Sequence, residues 1–188
     1  MLNLPNTLTL IRILTIPFFI EFLIYQRYLA ALVIFAIGGI TDFLDGLAAR
    51  RMNQQTALGA YLDPVADKLL VITSFTMLGV IGGLPVWLAV LVVVRDVLIV
   101  VGFVIIYVLV EERIQMKPTR VGKWSTTLQL LTLAVALTLL YDPRLLSPRV
   151  LDIFVAATAV TTVVSGCQYL YRGLLWLQNR ASSISPPG

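Results

Sequence analysis

Charges are rare along this chain, and the stretches between them stay apolar for longer than a water-soluble fold requires. Residues 69 to 94 run twenty-six positions without a charge, and 97 to 110 continue in the same way, whereas a helix crosses a bilayer with about 20 residues. Proline, glycine and charge clusters mark the ends of six predicted helices, at about 7–26, 28–51, 60–82, 85–110, 122–141 and 150–178. The predicted fold class is all-α, an integral membrane protein with six transmembrane helices. An even number of crossings puts both termini on one side.

Lys and Arg placement says which side, because loops retained in the cytoplasm are enriched in them. Ten of the fourteen fall at the N-terminal segment, the junction of helices 2 and 3, the loop between helices 4 and 5, and the C-terminus. Arg27, Arg144 and Arg149 lie at the opposite ends, and Arg95 lies inside the fourth helix. Both termini are therefore expected in the cytoplasm. Composition agrees: 59% hydrophobic and 13% charged residues with a mean hydropathy of +0.91, where a soluble domain carries about 25% charged. The net charge of +4 reads as a topology signal with some attraction to anionic lipid, and not as a nucleic-acid footprint.

The N-terminus has no basic region ahead of the apolar run and no small-residue cleavage site, so the first helix is expected to stay in place. No internal repeat is visible, which leaves one membrane domain over 1–181 and a short disordered tail from Ser182 to Gly188. The chain has no His, which excludes His-based catalysis and ligation. Its single Cys167 cannot form an intrachain disulfide and reads as a packing residue.

Chemistry concentrates in the acids. Of ten in the chain, Asp42, Asp45, Asp63 and Asp67 fall within twenty-six residues, toward the cytoplasmic ends of helices 2 and 3. An ionised side chain in a membrane helix costs at least ~2.5 to 3.5 kcal/mol near the centre, so such residues face a cavity and a partner. Asp42 and Asp45 are i, i+3, and Asp63 and Asp67 are i, i+4, so each pair shares one face of its helix. Four converging carboxylates repel one another unless cations neutralise them. Oxygen-only ligands suit Mg²⁺ or Mn²⁺, and two ions ~3.5 to 4 Å apart give the arrangement used for phosphoryl displacement. The bland alternative is surface ion pairing with Arg50, Arg51 and Lys68. Small residues flank the acids at Gly46, Ala49 and Gly59, leaving room for a ligand or for close helix packing. Gly38, Gly39, Gly82 and Gly83 read as packing alone.

Together these positions spell D-x2-D-G-x2-A-R-x8-G-x3-D-x3-D from Asp42 to Asp67. This resembles, without a gap or substitution, the signature of the CDP-alcohol phosphatidyltransferases. The resemblance implies that Asp42, Asp45 and Asp63 hold two divalent ions, and that Asp67 completes the metal site and acts as general base on the acceptor hydroxyl. It implies that Asp42, Gly46, Ala49, Arg50 and Gly59 line the pocket for the cytidine diphosphate of CDP-diacylglycerol. It also implies a homodimer in a bacterial inner (cytoplasmic) membrane with the active site facing the cytoplasm. Asn6, Thr9 and Arg12 resemble the N-x2-T-x2-R opening of several members and are candidates for nucleotide or acceptor contact. Their plainer reading is a helix cap and an interfacial anchor.

The acceptor alcohol must be read from the second half, where Arg95, Lys117, Arg120 and Lys123 are candidate anion binders. Arg95, deep in an apolar helix, either pairs with its neighbourhood, including Asp96, or holds a ligand phosphate. Lys117, Arg120 and Lys123 also fit an ordinary positive-inside bias. Arg95-Asp96 followed by Lys117-Pro118-Thr119, Lys123, Thr126 and Gln129 is similar to the cardiolipin-synthase branch, which uses phosphatidylglycerol. Phosphatidylglycerophosphate synthases, which use glycerol 3-phosphate, usually show R-E and K-x-K-T at these places, and Ser125 stands where the second lysine would be. A non-catalytic scaffold or a cation transporter remains as the reading from a different class. Transporter sites, however, sit near the midplane on broken helices.

Overall fold

The computed structural model describes residues 4–52, 57–110 and 120–184, with side chains for 11–39, 41, 68–102, 121–175 and 178. The described residues form six helices: α1 Leu4–Ile24, α2 Tyr28–Met52, α3 Ala57–Val80, α4 Val86–Val110, α5 Arg120–Tyr141 and α6 Pro148–Ile184. The all-α expectation holds, with its boundaries moved by a few residues. The largest change is α6, which runs 37 residues. It starts at Pro148, whose missing N–H is no loss in a first turn, and it passes through Gly173, because a helical glycine costs only ~1 kcal/mol. Ser182, Ser183 and Ile184, expected in the tail, continue α6, while 185–188 lie outside the described residues.

Two hairpins end in the same backbone cap. At the end of α1, the Arg27 N–H bonds to Phe22 O at 2.8 Å and the Gln26 N–H to Leu23 O at 3.2 Å, with Gln26 left-handed at φ 55°. At the end of α3, the Gly83 N–H bonds to Leu78 O at 2.8 Å, with Gly82 at φ 79°. Both follow the pattern in which a left-handed residue lets the chain satisfy the last helical carbonyls. Gly82 is thus a cap rather than the packing glycine expected, since a Cβ there would meet nothing within 4 Å. Gly83 does fit the packing reading, because a Cβ there would stand 2.8 Å from Leu140 Cδ1.

α1 packs against α2 and α3, α4 packs against α3 and α6, and α5 packs against α2, α3 and α6. The apolar core lies toward the ends joined by the three short turns. It is built from Phe19 and Leu23 of α1, Phe35 of α2, Phe75 and Leu78 of α3, Leu88 and Val92 of α4, and Leu133 and Leu137 of α5. Phe19 and Phe35 tilt against each other with ring centroids 6.4 Å apart.

The other half of the interior is polar: Arg12, Ser74, Arg95, Asp96, Ser125, Gln129, Thr158, Thr162 and Ser165 are buried. The outer surface is apolar, with Val90, Val94, Val97 and Val101 exposed along α4 and Ile153, Val160 and Val163 along α6. Water would invert that arrangement and lipid does not, because helices in a bilayer associate through packing and hydrogen bonds rather than by hiding apolar surface. Among the described residues, Val121–Tyr141 and Pro148–Leu175 are each long and apolar enough to cross a membrane. Cys167, expected to pack, is exposed.

Candidate active site

Counted along their helices, the aspartate pairs stand at similar distances from the ends of α2 and α3 that follow one another in the chain. Asp45 and Asp42 stand seven and ten residues before the end of α2 at Met52, and Asp63 and Asp67 stand six and ten residues after the start of α3 at Ala57. At 1.5 Å per residue, each pair lies roughly 10 and 15 Å in from the helix ends that the short 53–56 segment joins. α1 and α5 both pack against α2 and α3, so the two aspartate-bearing helices share two neighbours. Backbone is what the structure describes here: Asp42, Asp45, Gly46, Ala49 and Arg50 are residues of α2, and Gly59, Asp63 and Asp67 are residues of α3, and their side chains lie outside the described set.

α1 contributes Arg12, whose side chain is buried within the bundle at 5% exposure. That position differs from the interfacial anchor that its sequence context also allowed. Thr15 Oγ1 donates to Arg12 O at 2.7 Å, closing the turn around it. Asn6 is the third residue of α1 and not its cap; its side chain and that of Thr9 lie outside the described set.

The densest described polar cluster joins α3, α4 and α6. Asp96 is fully buried, and its Oδ1 accepts from Arg95 Nη1 at 2.6 Å. Its Oδ2 lies 2.7 Å from Lys68 Nζ, an ion pair with the residue that follows Asp67. Arg95 Nη2 donates to Ser165 Oγ at 2.6 Å, and the guanidinium stands 5.8 Å from the centre of the Tyr169 ring, within cation–π range. Gly166 makes room, since a Cβ there would stand 3.6 Å from Arg95 Cγ. Of the two roles open to Arg95, the structure describes the pairing with Asp96. Among the described side chains, the cluster joins two cations to one carboxylate.

α5 and α6 meet along a polar seam. Ser125 and Thr162 place their hydroxyls 3.4 Å apart, and Gln129 Nε2 reaches Thr162 Oγ1 at 3.4 Å and Ser125 Oγ at 3.5 Å. Thr132 and Thr158 follow at 2.7 Å. Ser125 and Gln129 are therefore fully buried between helices, whereas Lys123, two residues earlier, is exposed. Arg120 opens α5 with its side chain outside the described set, and Lys117 lies outside the described residues. A shallow recess lined by Glu21, Phe22, Tyr25 and Arg27 lies at the α1–α2 turn, far from the aspartates.

Sequence reasoning missed Asp96 as the hub of the cluster, and it missed Ser165 and Tyr169 altogether. A signal was present: on α6, Thr158, Thr162, Ser165 and Tyr169 recur at intervals of four, three and four. That is a helical polar stripe in an apolar segment, which turns inward.

A helical bundle with a polar interior and an apolar exterior is the arrangement of a membrane protein. The chain belongs to the CDP-alcohol phosphatidyltransferase family, whose profile matches residues 2–164. It is 35% identical to a Mycobacterium tuberculosis protein named "Probable phosphatidylglycerophosphate synthase", over 92% of this chain and 82% of that one. It is 31% identical to the CDP-diacylglycerol–glycerol-3-phosphate 3-phosphatidyltransferase of Aquifex aeolicus, over 92% of this chain and 96% of that one. It is also 33% identical to a cardiolipin synthase (CMP-forming)/mitochondrial hydrolase fusion protein of Schizosaccharomyces pombe, over 89% of this chain and 30% of that one. The protein is thus a membrane transferase of phospholipid synthesis, and the scaffold and transporter readings fall away.

Proposed function

We propose that this enzyme transfers the phosphatidyl group of CDP-diacylglycerol to phosphatidylglycerol, releasing CMP and forming cardiolipin. The observation that carries the transfer itself is the intact aspartate signature, Asp42 to Asp67, on two helices at similar distances from the ends that follow one another in the chain. The donor set fits two divalent cations, Mg²⁺ or Mn²⁺, held by Asp42, Asp45, Asp63 and Asp67, because all four supply hard carboxylate oxygens. Such ions, when bound, neutralise the diphosphate of the donor. Asp67 takes the proton of the attacking hydroxyl, a role that needs a base within hydrogen-bond reach. Asp42, Gly46, Ala49, Arg50 and Gly59 form the cytidine diphosphate pocket in this reading, with Asn6, Thr9 and the buried Arg12 beside it.

For the acceptor, the sequence pattern from Arg95-Asp96 to Gln129 favours phosphatidylglycerol, and the cluster of Lys68, Arg95 and Asp96 is consistent with it. Lys68 and Arg95 already share one carboxylate among the described side chains, which suits a phosphodiester monoanion better than a phosphate dianion. Arg95, Lys117, Arg120 and Lys123 remain the cations offered to the acceptor. Glycerol 3-phosphate is the second reading, favoured by the names of the Mycobacterium and Aquifex relatives.

In this reading all six helices cross the membrane. Each has 21 or more residues, enough for a core of about 30 Å at 1.5 Å per residue. The Lys and Arg distribution puts both termini and the active site on the cytoplasmic side of a bacterial inner membrane, and the family resemblance favours a homodimer. The test is purified protein with CDP-diacylglycerol, divalent metal and one acceptor at a time, with CMP and the lipid product measured. Absence of CMP release with every acceptor overturns the proposal.

A further inference from the structure

We infer that Asp96 is a positioning residue that holds α3, and with it Asp63 and Asp67, in register against α4; the inference rests on the reading of Asp67 as base. Its geometry is that of a clamp. One carboxylate oxygen is 2.6 Å from Arg95 Nη1 and the other 2.7 Å from Lys68 Nζ. Arg95 carries the connection to Ser165 at 2.6 Å and to the Tyr169 ring. Asp96, with no exposed surface, thus ties α3 to α4, and Arg95, which it holds, ties α4 to α6.

The attachment point on α3 matters. Lys68 is the residue after Asp67, so an ion pair at Lys68 fixes the turn of α3 that carries the base. A helix that slips by one residue rotates by 100° and moves 1.5 Å along its axis. Either motion takes a base out of hydrogen-bond reach of its hydroxyl. The lower half of α3 is held differently, by the apolar contacts of Val71, Phe75 and Leu78 in the core, and Ser74 Oγ satisfies only its own helix at Leu70 O. Among the described side-chain contacts, the Asp96 clamp is the polar tie of α3 to its neighbours that lies nearest the aspartates. A misplacement of about 1 Å costs on the order of 10²-fold in rate, so the clamp's effect belongs in the turnover step rather than in donor binding.

The test uses the full-length protein in lipid nanodiscs with metal and both substrates saturating. Lys68→Gln, at a partly exposed side chain, is expected to lower kcat by about 10- to 100-fold, with KM for CDP-diacylglycerol within about threefold of wild type. Lys68→Arg, which keeps a cation for Asp96, is expected to recover most of the loss. Asp96→Asn is expected to match Lys68→Gln, and the double variant to be no slower than the slower single variant, as for two residues acting through one contact. A kcat for Lys68→Gln within twofold of wild type overturns the inference, whether or not Asp96→Asn folds. So does a double variant whose losses multiply, and so does a Lys68→Arg variant as slow as Lys68→Gln. Wild-type protein that releases no CMP overturns the underlying reading together with this one, whereas an active wild type with active variants removes only the role of Asp96.

Discussion

Thr132 and Thr158 face each other across α5 and α6 with their hydroxyl oxygens 2.7 Å apart, both fully buried. Thr132 also donates to Leu128 O, one turn back on its own helix, at 2.8 Å. The pair extends a seam that continues through Gln129, Ser125 and Thr162 to Ser165 and Arg95. In lipid, where apolar surface drives no association, such contacts select which faces meet.

Removing the pair should cost little, because Thr132 keeps two carbonyls in reach, Leu128 O at 2.8 Å and Phe154 O at 3.3 Å. Interhelical hydrogen bonds in membranes average about 0.6 kcal/mol, with a maximum near 1.7. Thr158→Val, which keeps the shape, is expected to destabilise the protein by about 0.5 to 1 kcal/mol in reversible unfolding from mixed micelles. A loss above about 3 kcal/mol would mean that the seam is a cooperative network.

The fold was largely legible because the chain's few charges punctuate it: helix count, helix type and the three described turns all follow from where Pro, Gly and charge fall. What the sequence did not disclose is which polar residues meet. Arg95 and Asp96 are neighbours in sequence, yet the partner that links them to α3, Lys68, is twenty-eight residues from Asp96. Ser165, which completes the cluster, is seventy from Arg95. Ser125 likewise did not disclose its partner: the serine that stands where a lysine could be lies in an interhelical seam, its hydroxyl 3.4 Å from that of Thr162, thirty-seven residues away. Helix ends were blurred where no breaker follows, as at Arg180 to Ile184 of α6.

Asp67 and its neighbours can be separated by substitution. Asp67→Asn keeps size and polarity but cannot accept the acceptor proton, so turnover should fall by ~10² to 10⁴ while CDP-diacylglycerol binding stays within a few-fold. Rates with saturating metal, set against equilibrium binding of the donor, check this. Near-normal turnover would remove Asp67 from the base role.

Metal dependence follows from the donor set. Excess EDTA is expected to abolish CMP release, and Mg²⁺ or Mn²⁺ to restore it. Asp42→Ala or Asp63→Ala should raise the metal concentration needed for half-maximal activity or remove activity entirely, because each takes away oxygens that nothing else in a His-free chain replaces. Full activity in chelator would return the aspartates to a structural role.

The acceptor decides which phospholipid is made. Glycerol 3-phosphate is a small dianion arriving from water, and holding it favours several converging cations with charge-assisted hydrogen bonds. Phosphatidylglycerol brings one phosphodiester charge and two acyl chains, so it can enter sideways through lipid and needs fewer cations. Near the aspartates, the described cations Lys68 and Arg95 share the carboxylate of Asp96, and position 125 is a buried serine rather than a lysine. Both features point to the singly charged acceptor. With both acceptors in one reaction, cardiolipin should accumulate and glycerol 3-phosphate should remain unused. Arg95→Ala should weaken phosphatidylglycerol use more than donor binding. It should also lower stability by about 1.5 to 3 kcal/mol, because it removes a charged hydrogen bond from a buried carboxylate that keeps Lys68 as a partner. Product lipids resolved by thin-layer chromatography or mass spectrometry give the answer. Phosphatidylglycerophosphate without cardiolipin would assign the chain to the glycerol 3-phosphate branch and leave its phosphatidyl-transfer chemistry as proposed.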